Sequence, residues 1–189
     1  MTGPDNPVAR IASMLHDAGI AAMLTGSFAA AIHGRPRATQ DVDFVIETDE
    51  VRLRAFVRSL PPSDYYVDEE AAVQALANEG QFNLIDTATG WKVDLMIRKA
   101  RPFSIEEFER RQPRQFAGME VDVVSAEDLV IAKLEWARTG ESDRQLDDVA
   151  AIVAVRGDGL DREYIERWVT RLGVDGQWHA VLKRVSAES

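Results

Sequence analysis

Apolar residues recur at helical spacing from Pro7 to Ala18 (Val8, Ile11, Ala12, Leu15), with Asn6 as N-cap, Pro7 at the first helical position and Gly19 as the stop. Ile20 to Leu24 is a short apolar run between that glycine and Thr25-Gly26-Ser27, and its length and flanks predict a buried strand. A short helix follows over Phe28 to His33, ended by Gly34, and Arg35-Pro36-Arg37 is loop because a proline disfavours helix in the residue before it. From Asp41 to Ile46 the pattern changes to strict alternation. Asp41, Asp43 and Val45 share one face of a predicted strand, and Val42, Phe44 and Ile46 share the other.

Further on, Thr48 or Asp49 caps a helix through about Arg58, closed by Pro61-Pro62. Tyr65 to Val67 reads as a strand and Glu69 to Asn78 as a helix with Ala72, Val73 and Leu76 inward, Glu69-Glu70 meeting the charge preference of its first turn. Two alternating runs, Gln81 to Thr87 and Trp91 to Ile97, joined at Ala88-Thr89-Gly90, predict a hairpin. Its second strand puts Trp91, Val93, Leu95 and Ile97 on one face and Lys92, Asp94 and Met96 on the other. Ser104 to Arg111 is predicted helical, with Ser104 and Glu107 as a capping box. Short strands at Arg114 to Phe116 and Glu120 to Val124 flank Gly118-Met119. Ser125-Ala126-Glu127-Asp128 caps a long helix through Arg138, Ser142 or Asp143 opens another to about Val155, and helices over Asp161 to Leu172 and Asp175 to Val185 complete the chain. The pattern predicts an α/β (α+β) fold: a mixed sheet with helices over residues 1–124, then a mostly helical C-terminal region over 125–189.

Composition narrows the chemistry. At 189 residues the chain can bury a core without staples, and having no cysteine it offers neither disulfides nor thiolate zinc ligands. No stretch approaches the ~18 apolar residues of a membrane span, which points to a soluble, cytoplasmic protein with no membrane partner. The net charge of −10 argues against a protein that coats nucleic acid, although a local basic patch suffices for a nucleotide.

The chemistry concentrates at Gly26-Ser27 and Asp41-Val42-Asp43. Carboxylates roughly 6–7 Å apart along a strand raise each other's proton affinity unless a cation compensates. Hard oxygen ligands suit Mg²⁺ (or Mn²⁺), which takes one or two carboxylates plus substrate phosphates. Gly26 and Ser27, opening a helix, would offer backbone N–H groups and a hydroxyl to an anion. Asp94 taken alone is equally well read as decoration of a solvated strand face; beside the other two aspartates it becomes a third carboxylate of one site.

These residues resemble the DNA polymerase β-like nucleotidyltransferase superfamily: an apolar strand, Gly26-Ser27, a spacer, Asp41-Val42-Asp43, and an acid on a neighbouring strand in Lys92-Val93-Asp94-Leu95. More narrowly, the stretch from His33 to Asp43, with Ala126 to Leu134 and Arg144 to Val149, is similar to small bacterial nucleotidyltransferases related to the abortive-infection toxins of type IV toxin–antitoxin pairs. The resemblance spans about residues 20–150 and does not reach the last two helices.

It implies a nucleotidyltransferase fold and a two-metal transfer of NMP from an NTP to a hydroxyl of an RNA end, a protein or a small molecule, with pyrophosphate released and an antitoxin as possible partner. Asp41, Asp43 and Asp94 would be the catalytic and metal-binding residues; Gly26, Ser27, Arg37 and Lys133 would hold nucleotide and phosphate. Lys133, amid apolar neighbours, either snorkels to solvent or reaches phosphate, and Asp148 is read as structural. His33 is read as a local packing residue, and Trp91 and Trp136 as core or core margin. The competing readings are a catalytically inactive nucleotide- or partner-binding module, a transferase acting on an antibiotic-like small molecule, and a phosphohydrolase using the same metals.

Overall fold

A computed structural model describes residues 6–36, 38–116, 118–140 and 142–188. The chain forms two compact units, one of Met1–Ser27 with Ala38–Val124 and one of Phe28–Arg37 with Ser125–Ser189. The division at 124/125 is where the sequence pattern turns helical, but the segment from residue 28 to 37 groups with the C-terminal helices.

In the first unit α1 (Pro7–Asp17) is capped by Asn6, whose side chain accepts from the N–H groups of Val8 and Ala9. It buries Val8, Ile11 and Leu15, the stripe expected from a 3.6-residue period, and packs on β1 (Ala21–Thr25). The helix α2 (Gly26–His33) begins in this unit at Gly26-Ser27. Then come β2 (Asp41–Glu47), α3 (Glu50–Ser59), β3 (Tyr65–Val67), α4 (Glu69–Ala77), β4 (Gln81–Asp86), β5 (Lys92–Ile97), α5 (Pro102–Glu109), β6 (Gln112–Phe116) and β7 (Met119–Val123). Among the described residues the strands form one seven-stranded sheet in the order β3-β4-β5-β2-β1-β7-β6. It is mixed: β2 runs antiparallel to β1 and parallel to β5, while β1 pairs parallel to β7.

Alternation decides which face is core. Val42, Phe44 and Ile46 of β2 and Val93, Leu95 and Ile97 of β5 are buried, each worth about 1.5–3 kcal/mol for a large aliphatic or aromatic side chain. Asp41, Asp43 and Val45, with Lys92, Asp94 and Met96, occupy the opposite face.

Local chemistry explains several boundaries. Asp49 caps α3 by accepting from Arg52 N–H, and Asp68 caps α4 through Glu70 and Ala71. Glu69 accepts from both Arg54 and Arg58 of α3, a clamp between the two helices that the sequence reading assigned to first-turn preference alone. Hydrogen bonds from those two guanidiniums hold its carboxyl down at about 2. On α4 the inward residues are Ala72 and Ala75; Val73 and Leu76 are only half-buried, so the packed face is one of small side chains. The capping box expected at Ser104 and Glu107 is not one. Pro102 already starts α5, so both residues lie inside the helix and are buried, with Ser104 Oγ accepting from Arg101. The β4–β5 turn is organised by buried Asp86, which accepts from the N–H groups of Ala88 and Thr89 and from Arg10. Burial pushes that carboxyl up, yet the bonds from Thr89 and Ala88 and the charge of Arg10 leave it below its ordinary range.

The second unit holds the rest of α2, α6 (Ala126–Gly140), α7 (Asp143–Arg156), a single 3-10 turn (Gly157–Gly159), α8 (Arg162–Leu172) and α9 (Asp175–Glu188). Asp128, fully buried near the start of α6, accepts from Ser125 Oγ and from Tyr164 Oη of α8, both at 2.5 Å. His33 is buried, and its carbonyl oxygen accepts from Arg156 Nε while its Nδ1 lies 2.8 Å from the same guanidinium, the local packing role expected of it. Trp136 departs from expectation: it is 53% exposed, because it falls outside the buried stripe Val130, Leu134 and Ala137. Among the described residues no helix is long and apolar enough to cross a membrane.

Candidate active site

Thr25, the last residue of β1, pairs with Asp43 of β2, so the chain leaves the sheet beside that carboxylate. Gly26 makes the turn in the left-handed region at φ 63°. A Cβ on Gly26 would lie 1.9 Å from Asp43 Oδ2 and 2.5 Å from its Cγ, closer than atoms can pack. Glycine is therefore required here twice, for its backbone angle and for its missing side chain. Its consequence is that Asp43 sits directly against the opening turn of α2, where Ser27 and the first N–H groups stand.

The parallel register of β2 and β5 puts Asp43 opposite Asp94 and Asp41 opposite Lys92. Adjacent strands lie about 4.8 Å apart, so two acids and one acid–lysine pair stand side by side on one face. The alternation put Lys92 on the face of Asp94 but gave it no role in the site. Its Nζ straddles the Asp94 carboxylate, 2.9 Å from Oδ1 and 3.0 Å from Oδ2. The hydrogen bond to Asp94 raises the lysine above its ordinary value; burial opposes this, and the charges of Asp94, Asp41 and Asp43 reinforce it. All three carboxylates thus act on one ammonium. The signal was present in the alternation, since residues two apart on a strand share a face, but the pairing partner of that strand was not.

Among the described residues no group of three or more His, Asp or Glu side chains converges in a way that could hold a metal ion. The expected gathering of three carboxylates is thus present in register and face but not in the side-chain arrangement, where Asp94 is engaged with Lys92. Two observations still fit a hard cation. The donors are all carboxylate oxygens, and Asp94 Oδ1 is buried without a hydrogen-bond partner despite its short distance to the ammonium.

Of the remaining expected site residues, Arg37 lies outside the described residues. Lys133 neither snorkels nor stands open to an anion. It is 4% exposed, and its ammonium donates to Asp148 Oδ2 and Gln145 Oε1 of α7, each at 2.8 Å. A helix with Leu129, Val130, Ile131 and Leu134 buried around it leaves the lysine nowhere to go but its neighbour helix, and Asp148 takes the structural role expected of it. Within the same unit an open cavity of about 470 Å³ is lined by Arg35, Asp147, Ala150 and Arg184. Arg184 there is already bound to Asp143 and Asp147, and the cavity includes none of the three strand aspartates.

No family model matches the chain, and no curated protein sequence matches it. Solved structures do. An antigenic nucleotidyltransferase-like protein from Paracoccidioides brasiliensis superposes with a TM-score of 0.54 at 16% identity, over 93% of this chain and 90% of that one. The antibiotic-resistance factor ANT(2'')-Ia superposes with a TM-score of 0.57 at 13% identity, over 95% of both chains. The lincosamide antibiotic adenylyltransferase LnuA, solved with lincomycin bound, gives 0.54 at 9% identity, over 82% of this chain and 99% of that one. At such identities these likenesses speak for the architecture: the chain has an α/β nucleotidyltransferase-like fold, a mixed sheet with a mostly helical C-terminal part.

Proposed function

We propose that this protein is a metal-dependent nucleotidyltransferase that moves a nucleoside monophosphate from an NTP to a hydroxyl acceptor. The observation that carries the reading is the Gly26 turn pressed against Asp43, with Asp94 opposite Asp43 in register. A phosphate-binding helix start and a carboxylate pair meet at one point, and the fold shared with nucleotidyltransferases supports the same reading.

In this reading the N–H groups at the start of α2 and the Ser27 hydroxyl hold the β- and γ-phosphates. Asp41, Asp43 and Asp94 are the residues that would hold Mg²⁺ or Mn²⁺, which when bound neutralises charge on the attacking and leaving oxygens. The acceptor hydroxyl attacks the α-phosphorus, the bond to the β-phosphate oxygen breaks, and pyrophosphate leaves. Asp94, opposite Asp43 in register, takes the hydroxyl proton on a carboxylate oxygen. Lys133 is assigned to holding α6 on α7 rather than to phosphate.

The acceptor is read as a small molecule or a protein rather than long RNA, since a chain of net charge −10 repels a polyanion. Two of the structural neighbours are antibiotic adenylyltransferases or resistance factors, which supports a small molecule. The resemblance of residues 33–43, 126–134 and 144–149 to abortive-infection toxins supports a macromolecular acceptor and a separately encoded antitoxin. Either reading belongs in the cytoplasm, where NTP is found. Incubating the protein with each α-labelled NTP, Mg²⁺ or Mn²⁺, and cell RNA, protein and small-molecule fractions decides among them. Label should pass to one acceptor class with pyrophosphate released; release of inorganic phosphate without transfer would make the protein a phosphohydrolase.

A second reading, a binding module without turnover, is favoured by one observation: Asp94 is engaged with Lys92 and the three acids do not converge. It predicts NTP binding with no label transferred to any fraction.

A further inference from the structure

Lys92 and Asp94 are neighbours on one face of β5, and the two differ in how firmly they are held. The Asp94 side chain is short and 14% exposed, whereas the longer Lys92 side chain is 41% exposed. A lysine is a compact charge on a flexible four-carbon stem with three rotatable donors. Its Nζ spans both oxygens of Asp94, as a small cation would, while Asp41 stands opposite it in register and Asp43 opposite Asp94. A divalent ion bound to an oxygen of Asp94 at the usual ~2.1 Å cannot share that place with an ammonium straddling the carboxylate. One of the two must leave.

We infer that Lys92 is a tethered counter-cation of the acidic site: it holds Asp94 until a divalent ion arrives, and it competes with that ion for the carboxylate. The inference rests on the proposed metal-dependent reading. It gives Lys92 a positioning role distinct from the three acids, since the lysine neutralises like charges that would otherwise repel one another on adjacent strands. It also makes ion binding weaker than the acids alone would give.

The test is Mn²⁺ affinity of the full chain without nucleotide, read from the spectrum of free Mn²⁺ during titration. Lys92→Met and Lys92→Gln remove the competitor and its charge, and both should bind Mn²⁺ roughly tenfold more tightly than the unaltered protein at low salt. Lys92→Arg keeps the charge and should stay within about twofold of it. If the unaltered protein binds Mn²⁺ and loses it on Asp43→Asn, while the Met and Gln variants bind no more tightly, the role of Lys92 is wrong and the metal-dependent reading stands. If the unaltered protein binds no Mn²⁺ even with NTP present, the metal-dependent reading itself fails, and this inference with it.

Discussion

Among the described residues, Lys133–Asp148 and Lys92–Asp94 are lysine–aspartate pairs that look alike on paper and differ in everything that matters physically. Lys133–Asp148 joins two helices of the second unit, with side chains 6% and 10% exposed, and Gln145 also accepts from the ammonium. Lys92–Asp94 lies two residues apart on one strand, with side chains 41% and 14% exposed, and leaves Asp94 Oδ1 without a hydrogen bond. A buried pair is expensive to form and more expensive to break, because either partner left alone is an uncompensated charge in a poor dielectric. A half-solvated pair gains little and loses little, since water and salt screen it. The first arrangement suits a fixture and the second suits a place where ligands exchange.

The largest break follows from the buried pair. Asp148→Ala should destabilise the fold by about 3–5 kcal/mol, a drop in Tm of roughly 2–4 °C for each kcal/mol at this size. Lys133→Met with Asp148→Leu should recover most of it, because a volume-matched apolar pair needs no compensation. Asp94→Asn, by contrast, should cost under about 1 kcal/mol. Equal losses in thermal scans would collapse the comparison.

Next in size is Gly26→Ala. The new methyl must displace the Asp43 carboxylate and accept a left-handed backbone, at a cost of about 1–3 kcal/mol. The larger consequence is at the site, where transfer should fall far more than stability does. A variant with normal transfer would show that Asp43 need not stand against that turn.

The smallest effect is a pH limb. Glu69 is held at about 2 by hydrogen bonds from Arg58 and Arg54, well below its ordinary value. A carboxylate whose pKa is depressed on folding contributes stability above its unfolded pKa and loses it as the pH falls through the folded one. Unfolding midpoints should therefore decline between about pH 4.5 and about pH 2, and Glu69→Gln should flatten that decline slightly.

Alternation was enough to read β2 from Asp41 to Glu47 and the face carrying both of its acids, because one face of the strand had to be core. It also put Lys92 and Asp94 on one face. It could not show that β5 lies beside β2, since that parallel pairing is between segments some fifty residues apart and rests on packing rather than on local pattern. The failed capping box at Ser104 has a local cause, Pro102 starting the helix earlier. For Lys133 the burial was legible on α6, while the distance of its ammonium from Asp148 and Gln145 on α7 is set by tertiary packing. The grouping of residues 28–37 with the C-terminal helices is likewise tertiary, visible at Gly34, where a Cβ would crowd Ile152 of α7.

The central claim is that the acids beside the Gly26 turn perform nucleotidyl transfer. The most direct measurement compares transfer of label from α-labelled NTP to the identified acceptor by the unaltered protein and by Asp41→Ala with Asp43→Ala. The double variant should fold and lose more than ~1,000-fold of the rate, the scale of losing the main electrostatic stabilisation of a transition state. Labelling that survives the double substitution unchanged would contradict the account.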